Sequence, residues 1–169
     1  MTDFQPVDGI TSRSRRRNFI VALLALFTAG AAVSMRAVTA VHMQHEFLDP
    51  IDPVHAGERL GTVLGAAFAS FALTLFLVSP VLAAIGFRRA FLAAAAFLVL
   101  GFGMVAGASG FDHVYTALLA GMVIQGIGWG LVETTINPLA SALYPEERVA
   151  HLSTLHAWYP AGLVVGSLV

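Results

Sequence analysis

The sequence contains no cysteine and no lysine, and only 11% of its 169 residues are charged. The absence of cysteine excludes disulfide bonds and thiolate metal sites, and it leaves the redox compartment open. With no lysine and a net charge of −1, nothing in the composition indicates a nucleic-acid partner. Apolar residues instead make up 57% of the chain, against roughly 45–50% in ordinary soluble domains. This composition predicts an integral membrane protein that contacts the lipid bilayer.

Long apolar stretches recur along the chain, and most are close to the roughly 20 residues that a helix needs to cross a bilayer. Because lipid offers no hydrogen bonds to the backbone, these stretches are expected to be helices rather than strands. They predict about five transmembrane helices, at 19–41, 60–85, 90–108, 114–143 and 152–169. We therefore expect an all-α integral membrane fold, with a cytoplasmic polar tail over 1–18 and a transmembrane helical bundle over 19–169.

The arginines are unevenly distributed among the loops. Seven of the nine fall on one side of the predicted spans, namely Arg13, Arg15, Arg16, Arg17, Arg88, Arg89 and Arg148. The positive-inside rule therefore predicts a cytoplasmic N-terminus in a plasma membrane or cell inner membrane. An alternative is a twin-arginine export signal, because "RRRNFIVALLALFTAGAA" joins arginines to an apolar stretch and small residues. Four further spans follow, however, and a cleaved export signal for a soluble protein does not need them.

Small residues recur at helical spacing within the predicted spans, and two G-x-x-x-G pairs are considered as contact sites. Gly61 and Gly65 form one pair, and Gly126 and Gly130 form the other, with Gly128 between them. Small residues at this spacing let helix backbones approach closely in a membrane. Both pairs therefore predict helix contacts.

Glu133 is the only formally charged residue in 114–143. Asn137 lies one helical turn later, about 40° away around the axis, so the two side chains share a face. Pro138 predicts a kink and an available carbonyl at Thr134. Glu133 is expected close to the middle of the bilayer, where inserting a carboxylate costs at least about 2.5 kcal/mol. Its side chain should therefore face a cavity or a partner. A solute or proton site is one interpretation, and a structural anchor hydrogen-bonded to neighbouring helices is the other.

These residues also resemble a known family. "ETTINP" and the following "LYPEERVAHLSTLHAWYPAGLVVG" resemble the fucose-permease-like branch of the major facilitator superfamily, where E-x-x-x-N-P lies in the fourth helix. "SPVLAAIGFRRAF" is similar to the superfamily loop between helices two and three, G-x-L-A-D-R-x-G-R-R, with Ser79, Ala83 and Ala84 as departures. The resemblance implies a twelve-helix secondary transporter in two six-helix halves. This chain would be an incomplete N-terminal half, truncated in its fifth helix, with the remaining helices of the full-length chain as partners.

The resemblance also assigns candidate roles to individual residues. Glu133 matches the family's essential fourth-helix acid, which makes it a candidate for substrate binding and proton coupling. Asn137 matches the neighbouring amide, and His156 falls where the fucose permease has a glutamine that contacts substrate. Trp158 and Tyr159, close to His156, are expected either in the cavity or as anchors at the membrane interface.

Arg36 and Gln125 complete the candidate substrate-binding set. The family's acid in helix one has no counterpart here, because Arg36 and Ala37 occupy that region. A guanidinium in a cavity could bind a carboxylate, a phosphate or sugar hydroxyls, or could pair with Glu133. Alternatively, Arg36 could extend outward along its helix to reach the membrane surface.

The segment after the first span offers a different class of function. His42, His45, Glu46 and His55 are potential zinc ligands, although their spacing matches no metalloprotease motif. A metal-responsive or structural partner subunit therefore stays as the alternative function. No phosphate loop or nucleophile elbow is present, so we expect neither an enzyme nor a cofactor. The predicted function is secondary active transport of a small polar solute such as a sugar.

Overall fold

The computed structural model describes residues 12–168, and every regular element in that range is helical. Its α-helices are α1 (Ser12–Met43), α2 (Ala56–Val78), α3 (Leu82–Ile85), α4 (Phe87–Ala106), α5 (Val114–Leu143) and α6 (Arg148–Gly166). A π-helix at Gln44–Leu48 continues α1, and 3₁₀ turns at Ser79–Val81 and Ala108–Gly110 follow α2 and α4. The predicted all-helical fold is confirmed for this part of the chain.

Four segments within residues 12–168 are long and apolar enough to cross a membrane: Ser12–Leu48, Ala56–Ile85, Phe87–Ala106 and Val114–Leu143. They correspond to the first four predicted spans. Helix α6 corresponds to the fifth but is not among these segments, because polar residues such as Arg148 and His151 occupy its first turns. At the other end, α1 begins at Ser12, so residues 12–18 of the predicted tail form its first turns. Residues 1–11 of that tail lie outside the described residues.

The described chain forms two compact units. We call residues 12–38 with 132–168 the terminal unit, and residues 39–131 the middle unit. The terminal unit contains most of α1, the end of α5 and all of α6. The middle unit contains the end of α1, the start of α5 and the helices between them.

The middle unit has an apolar core where α2 and α5 meet the end of α1 and its π-helix. Its buried members are Met43, Leu48, Ala56, Val63, Ala67, Ala108, Leu118 and Met122. Trp129 of α5 extends the packing, because its ring stacks on Phe71 of α2 with centroids 3.9 Å apart. Removing apolar groups from water contributes little between helices in lipid, so close packing has to hold these helices together.

Glycines on α5 set how closely its neighbours in the middle unit approach. A Cβ on Gly126 would collide with Ser70 and the Ala67 carbonyl of α2, and a Cβ on Gly130 would collide with Thr74. Gly121 and Gly128 make the corresponding contacts with α4. The predicted contact through Gly126 and Gly130 is confirmed.

The predicted contact through Gly61 and Gly65 is wrong within the described residues. Both glycines are exposed, and a Cβ on either would meet no atom within 4 Å. Helix α2 contacts α5 through the face that carries Ala67 and Thr74. Gly65 precedes Ala67 by two residues, which places it about 160° away around the helix. The spacing of small residues identifies a face that permits contact but does not determine which face is used.

The terminal unit is held together by close contact between α1 and α6. A Cβ on Gly162 would collide with the carbonyl of Phe27, and one on Gly166 with the carbonyl of Ala31. On the other helix, a Cβ on Gly30 would collide with the carbonyl of Tyr159. The two backbones therefore touch, and Gly162 and Gly166 form a further G-x-x-x-G pair, whose small side chains permit this contact.

Candidate functional site

Glu133 and Asn137 lie one turn apart near the end of α5, as their spacing predicts. The Asn137 side chain donates a hydrogen bond to the Glu133 carboxylate, and both residues are half-buried. Helix α5 continues through Pro138 to Leu143 without interruption. Pro138 therefore does not end the helix, and the carboxylate–amide pair sits on a continuous scaffold.

Helix α6 brings two further polar side chains to the pair. His156 and Tyr159 both lie close enough to Glu133 to interact with it electrostatically. They are three residues apart, so they share one side of α6. The same part of α6 contacts α1, where Gly30 lies against the backbone of Tyr159.

Arg36 completes this group from α1. The residue is half-buried, and its Nε donates a hydrogen bond to the carbonyl of Ala32, with a nitrogen–oxygen distance of 3.3 Å. This bond turns the side chain back along α1, whereas extension to the far surface would point it towards Met43. Arg36 also interacts electrostatically with Tyr159. Tyr159 thus lies within reach of both Arg36 and Glu133, whereas the sequence left its position open between the cavity and the membrane interface.

We call Arg36, Glu133, Asn137, His156 and Tyr159 the polar cluster. It offers a carboxylate, an amide, an imidazole, a phenol and a guanidinium, which together can donate and accept hydrogen bonds. The Oδ1 atom of Asn137 is buried and has no hydrogen-bond partner among residues 12–168. A buried acceptor without a partner is uncommon and needs an explanation. The Oδ1 atom of Asn137 is therefore able to accept a hydrogen bond from a donor outside the described residues.

Gln125 differs from the other predicted site residues because it belongs to the middle unit. It is only 2% exposed, and its Cγ would lie 2.7 Å from a Cβ on Gly101 of α4. Its Oε1 atom is buried and has no hydrogen-bond partner in the described part of the chain. The structure thus places Gln125 in the packing between α4 and α5.

Of the proposed zinc ligands in the middle unit, His42 and Glu46 contact each other, whereas His45 and His55 each pair with an aspartate. His42 contacts Glu46 at 2.8 Å and His45 contacts Asp49 at 2.6 Å. Across residues 12–168, no group of three histidine or acidic side chains is placed to hold a metal ion. The described geometry therefore does not support the metal-binding alternative.

Asp52 is the acceptor at the centre of the loop between the π-helix and α2. Its Oδ2 accepts hydrogen bonds from His55 Nδ1 at 3.0 Å and from Arg59 Nη2 at 3.2 Å. Its Oδ1 accepts a third from the backbone N–H of His55. Desolvation raises the pKa of Asp52, but the hydrogen bonds and the charges of His55 and Arg59 lower it by more. The pKa of Asp52 therefore lies below its ordinary value.

The polar cluster thus gathers Glu133, Asn137, Arg36 and His156 in one unit and leaves Gln125 in the other. Compared with protein-family models, with curated proteins and with solved structures, the chain matches none of them.

Proposed function

We propose that this chain is part of a secondary active transporter that moves a small polar solute, such as a sugar, across the membrane by alternating access. The observation that carries the proposal is the polar cluster itself, in which three helices bring together five polar side chains, Glu133 among them. Ionisable groups within membrane helices are rare, and they mark solute or proton pathways when they face a cavity. The resemblance of "ETTINP" to the fucose-permease-like branch of the major facilitator superfamily agrees with this assignment.

In the proposed site, Glu133 accepts hydrogen bonds from the solute and exchanges protons, with His156 as its neighbouring proton acceptor. Asn137 orients the carboxylate through its amide and offers its Oδ1 to a solute hydroxyl. Arg36 and Tyr159 contribute donors from the other side of the cluster. A purely structural anchor would be expected to pair its acceptors within the bundle, and the Oδ1 of Asn137 has no such partner in residues 12–168.

The test measures sugar uptake by the full-length protein reconstituted in liposomes, with and without an imposed pH gradient. Tritiated L-fucose is the first probe and tritiated D-glucose the second. Glu133→Gln keeps the shape and hydrogen-bonding capacity of the side chain but cannot titrate. If Glu133 carries protons, the variant should still exchange sugar while losing accumulation driven by the pH gradient. If Glu133 only binds solute, affinity should fall while pH dependence survives.

Glu146→Gln is the matched control, because Glu146 is an exposed acid in the same unit. This control should transport like the parent protein. Parent-like uptake by both Glu133→Gln and Asn137→Ala, at equal abundance in the membrane, would show that Glu133 is a structural anchor. Failure of the parent protein to take up either sugar would contradict sugars as the solute class.

A further inference from the structure

The first turns of α1 have two different faces. Phe19, Ala22 and Leu26 are buried against the rest of the terminal unit. On the opposite face, Arg13, Arg16 and Arg17 are exposed, and the next turns carry the exposed apolar side chains Ile20, Val21 and Leu24. The outer face of α1 is therefore basic at its start and apolar immediately afterwards.

The basic and apolar parts of this face meet in a crevice of about 670 Å³. Its lining consists of Arg13, Ser14, Arg16, Arg17, Ile20 and Val21. Ile20 lies only about 4.5 Å further along the helix axis than Arg17, at 1.5 Å per residue. The crevice can thus contact a charged group and an adjoining hydrocarbon chain at the same time.

The three arginines of the crevice form no ion pair with an acidic side chain in residues 12–168. Placed three and four residues apart on one helix, they repel each other. A guanidinium binds phosphate oxygens through two parallel hydrogen bonds, and a bound anion would relieve the repulsion. The charge and geometry of the crevice therefore suit a phosphate group.

We propose that this crevice binds an anionic phospholipid, with its phosphate on Arg16, Arg17 and Arg13 and its acyl chain along Ile20 and Val21. Arginines beside the start of an apolar helix are placed at headgroup level, where such residues attract anionic lipids. The apolar half of the crevice distinguishes a lipid from a free phosphate, which would use only the arginines. This assignment does not depend on the transport function proposed above.

Arg15 provides a matched control on the same turn. It faces the other side of α1, where its guanidinium lies 5.8 Å from the ring centroid of Tyr144. Arg15→Gln thus removes the same charge as Arg16→Gln but does so away from the crevice. A site on the outer face should respond to Arg16 and Arg17 and not to Arg15.

The experiment measures lipid binding to the detergent-solubilised full chain by native mass spectrometry. The probes are phosphatidylglycerol and phosphatidylcholine with identical acyl chains, together with water-soluble glycerol 3-phosphate. The parent protein should prefer phosphatidylglycerol, and this preference should weaken as salt is raised. Each crevice arginine should contribute about five-fold to the affinity, so Arg16→Gln with Arg17→Gln should lose roughly 25-fold. Arg15→Gln should bind like the parent.

The double variant Arg16→Lys with Arg17→Lys keeps the charge that guides membrane insertion. It is the second test of the proposal, to be used if the glutamine variant inserts poorly. This variant should lose part of the affinity, because an ammonium cannot form the two parallel bonds of a guanidinium. Equal binding of phosphatidylglycerol by the parent and the variants at Arg16 and Arg17 would overturn the proposal. Binding of glycerol 3-phosphate as tight as that of the lipid, or an equal loss in Arg15→Gln, would overturn it as well.

Discussion

At the scale of single residues, Asp52 shows how one carboxylate can organise a loop. It accepts hydrogen bonds from His55 and Arg59, and the Arg59 guanidinium lies 5.4 Å from the ring centroid of Tyr115 on α5. The lowered pKa of Asp52 means that its charged form is favoured by the folded loop. Its contribution to stability is therefore complete above its ordinary pKa and is lost as the pH falls through the lowered value.

We expect Asp52→Asn to lower the thermal unfolding temperature of the solubilised protein at neutral pH. The difference from the parent should shrink in acid, because the parent then loses the same charge by protonation. The measurement is a series of thermal unfolding curves from neutral to acid pH, with Asp112→Asn, an exposed acid of the same unit, as control. A difference between Asp52→Asn and the parent that stays constant with pH would contradict this account.

The sequence predicted the pairing of Glu133 with Asn137 because their spacing on one helix is sufficient to place them together. It could not predict that Tyr159 lies near both Arg36 and Glu133. That arrangement depends on the contact between α1 and α6, which follows from which glycine faces meet. Gln125 shows the same limit, since its sequence position does not reveal that it packs against Gly101.

At the scale of helices, glycines on α5 decide how closely α2 can approach. Gly126→Ala should destabilise the fold by about 1–3 kcal/mol, because the added methyl group would displace the backbone of Ala67. Gly65→Ala is the matched control on α2, where the methyl group meets no atom within 4 Å. This control should be neutral or slightly stabilising, since alanine favours a helix by about 1 kcal/mol over glycine.

Thermal unfolding of the two glycine variants in the same detergent compares them directly. Equal destabilisation of the two variants would contradict the view that the contact of Gly126 with Ala67 determines the result. The sequence predicted the bounds of some helices better than those of others. The bounds of α5 agree with its apolar stretch, whereas the predicted span over 60–85 is divided after Val78. Pro80 lies in the 3₁₀ turn that follows, where its missing N–H is tolerated.

At the scale of the whole molecule, hydropathy predicted the helical class, but it could not predict the division into terminal and middle units. That division depends on contacts among residues distant in sequence, and α1 and α5 each contribute to both units. Orientation in the membrane is a separate property, and the arginine distribution predicts that the start of α1 faces the cytoplasm.

Single-cysteine labelling can test this orientation, because the parent protein has no cysteine. In intact cells, an impermeant maleimide should label Val54→Cys in the exposed loop before α2 and should not label Ser12→Cys. Permeabilised cells provide the control, since both variants should then react. Labelling of Ser12→Cys in intact cells would reverse the predicted topology.

The chain's two tryptophans lie in different units and in different surroundings. Trp129 of the middle unit is 8% exposed and stacked on Phe71, whereas Trp158 of the terminal unit is 39% exposed, with its ring edge-on to Phe27. Indole fluorescence depends on the polarity around the ring and on the access of quenchers to it. Each unit thus carries one indole, and replacing either tryptophan by phenylalanine leaves tryptophan emission that reports on the other unit alone.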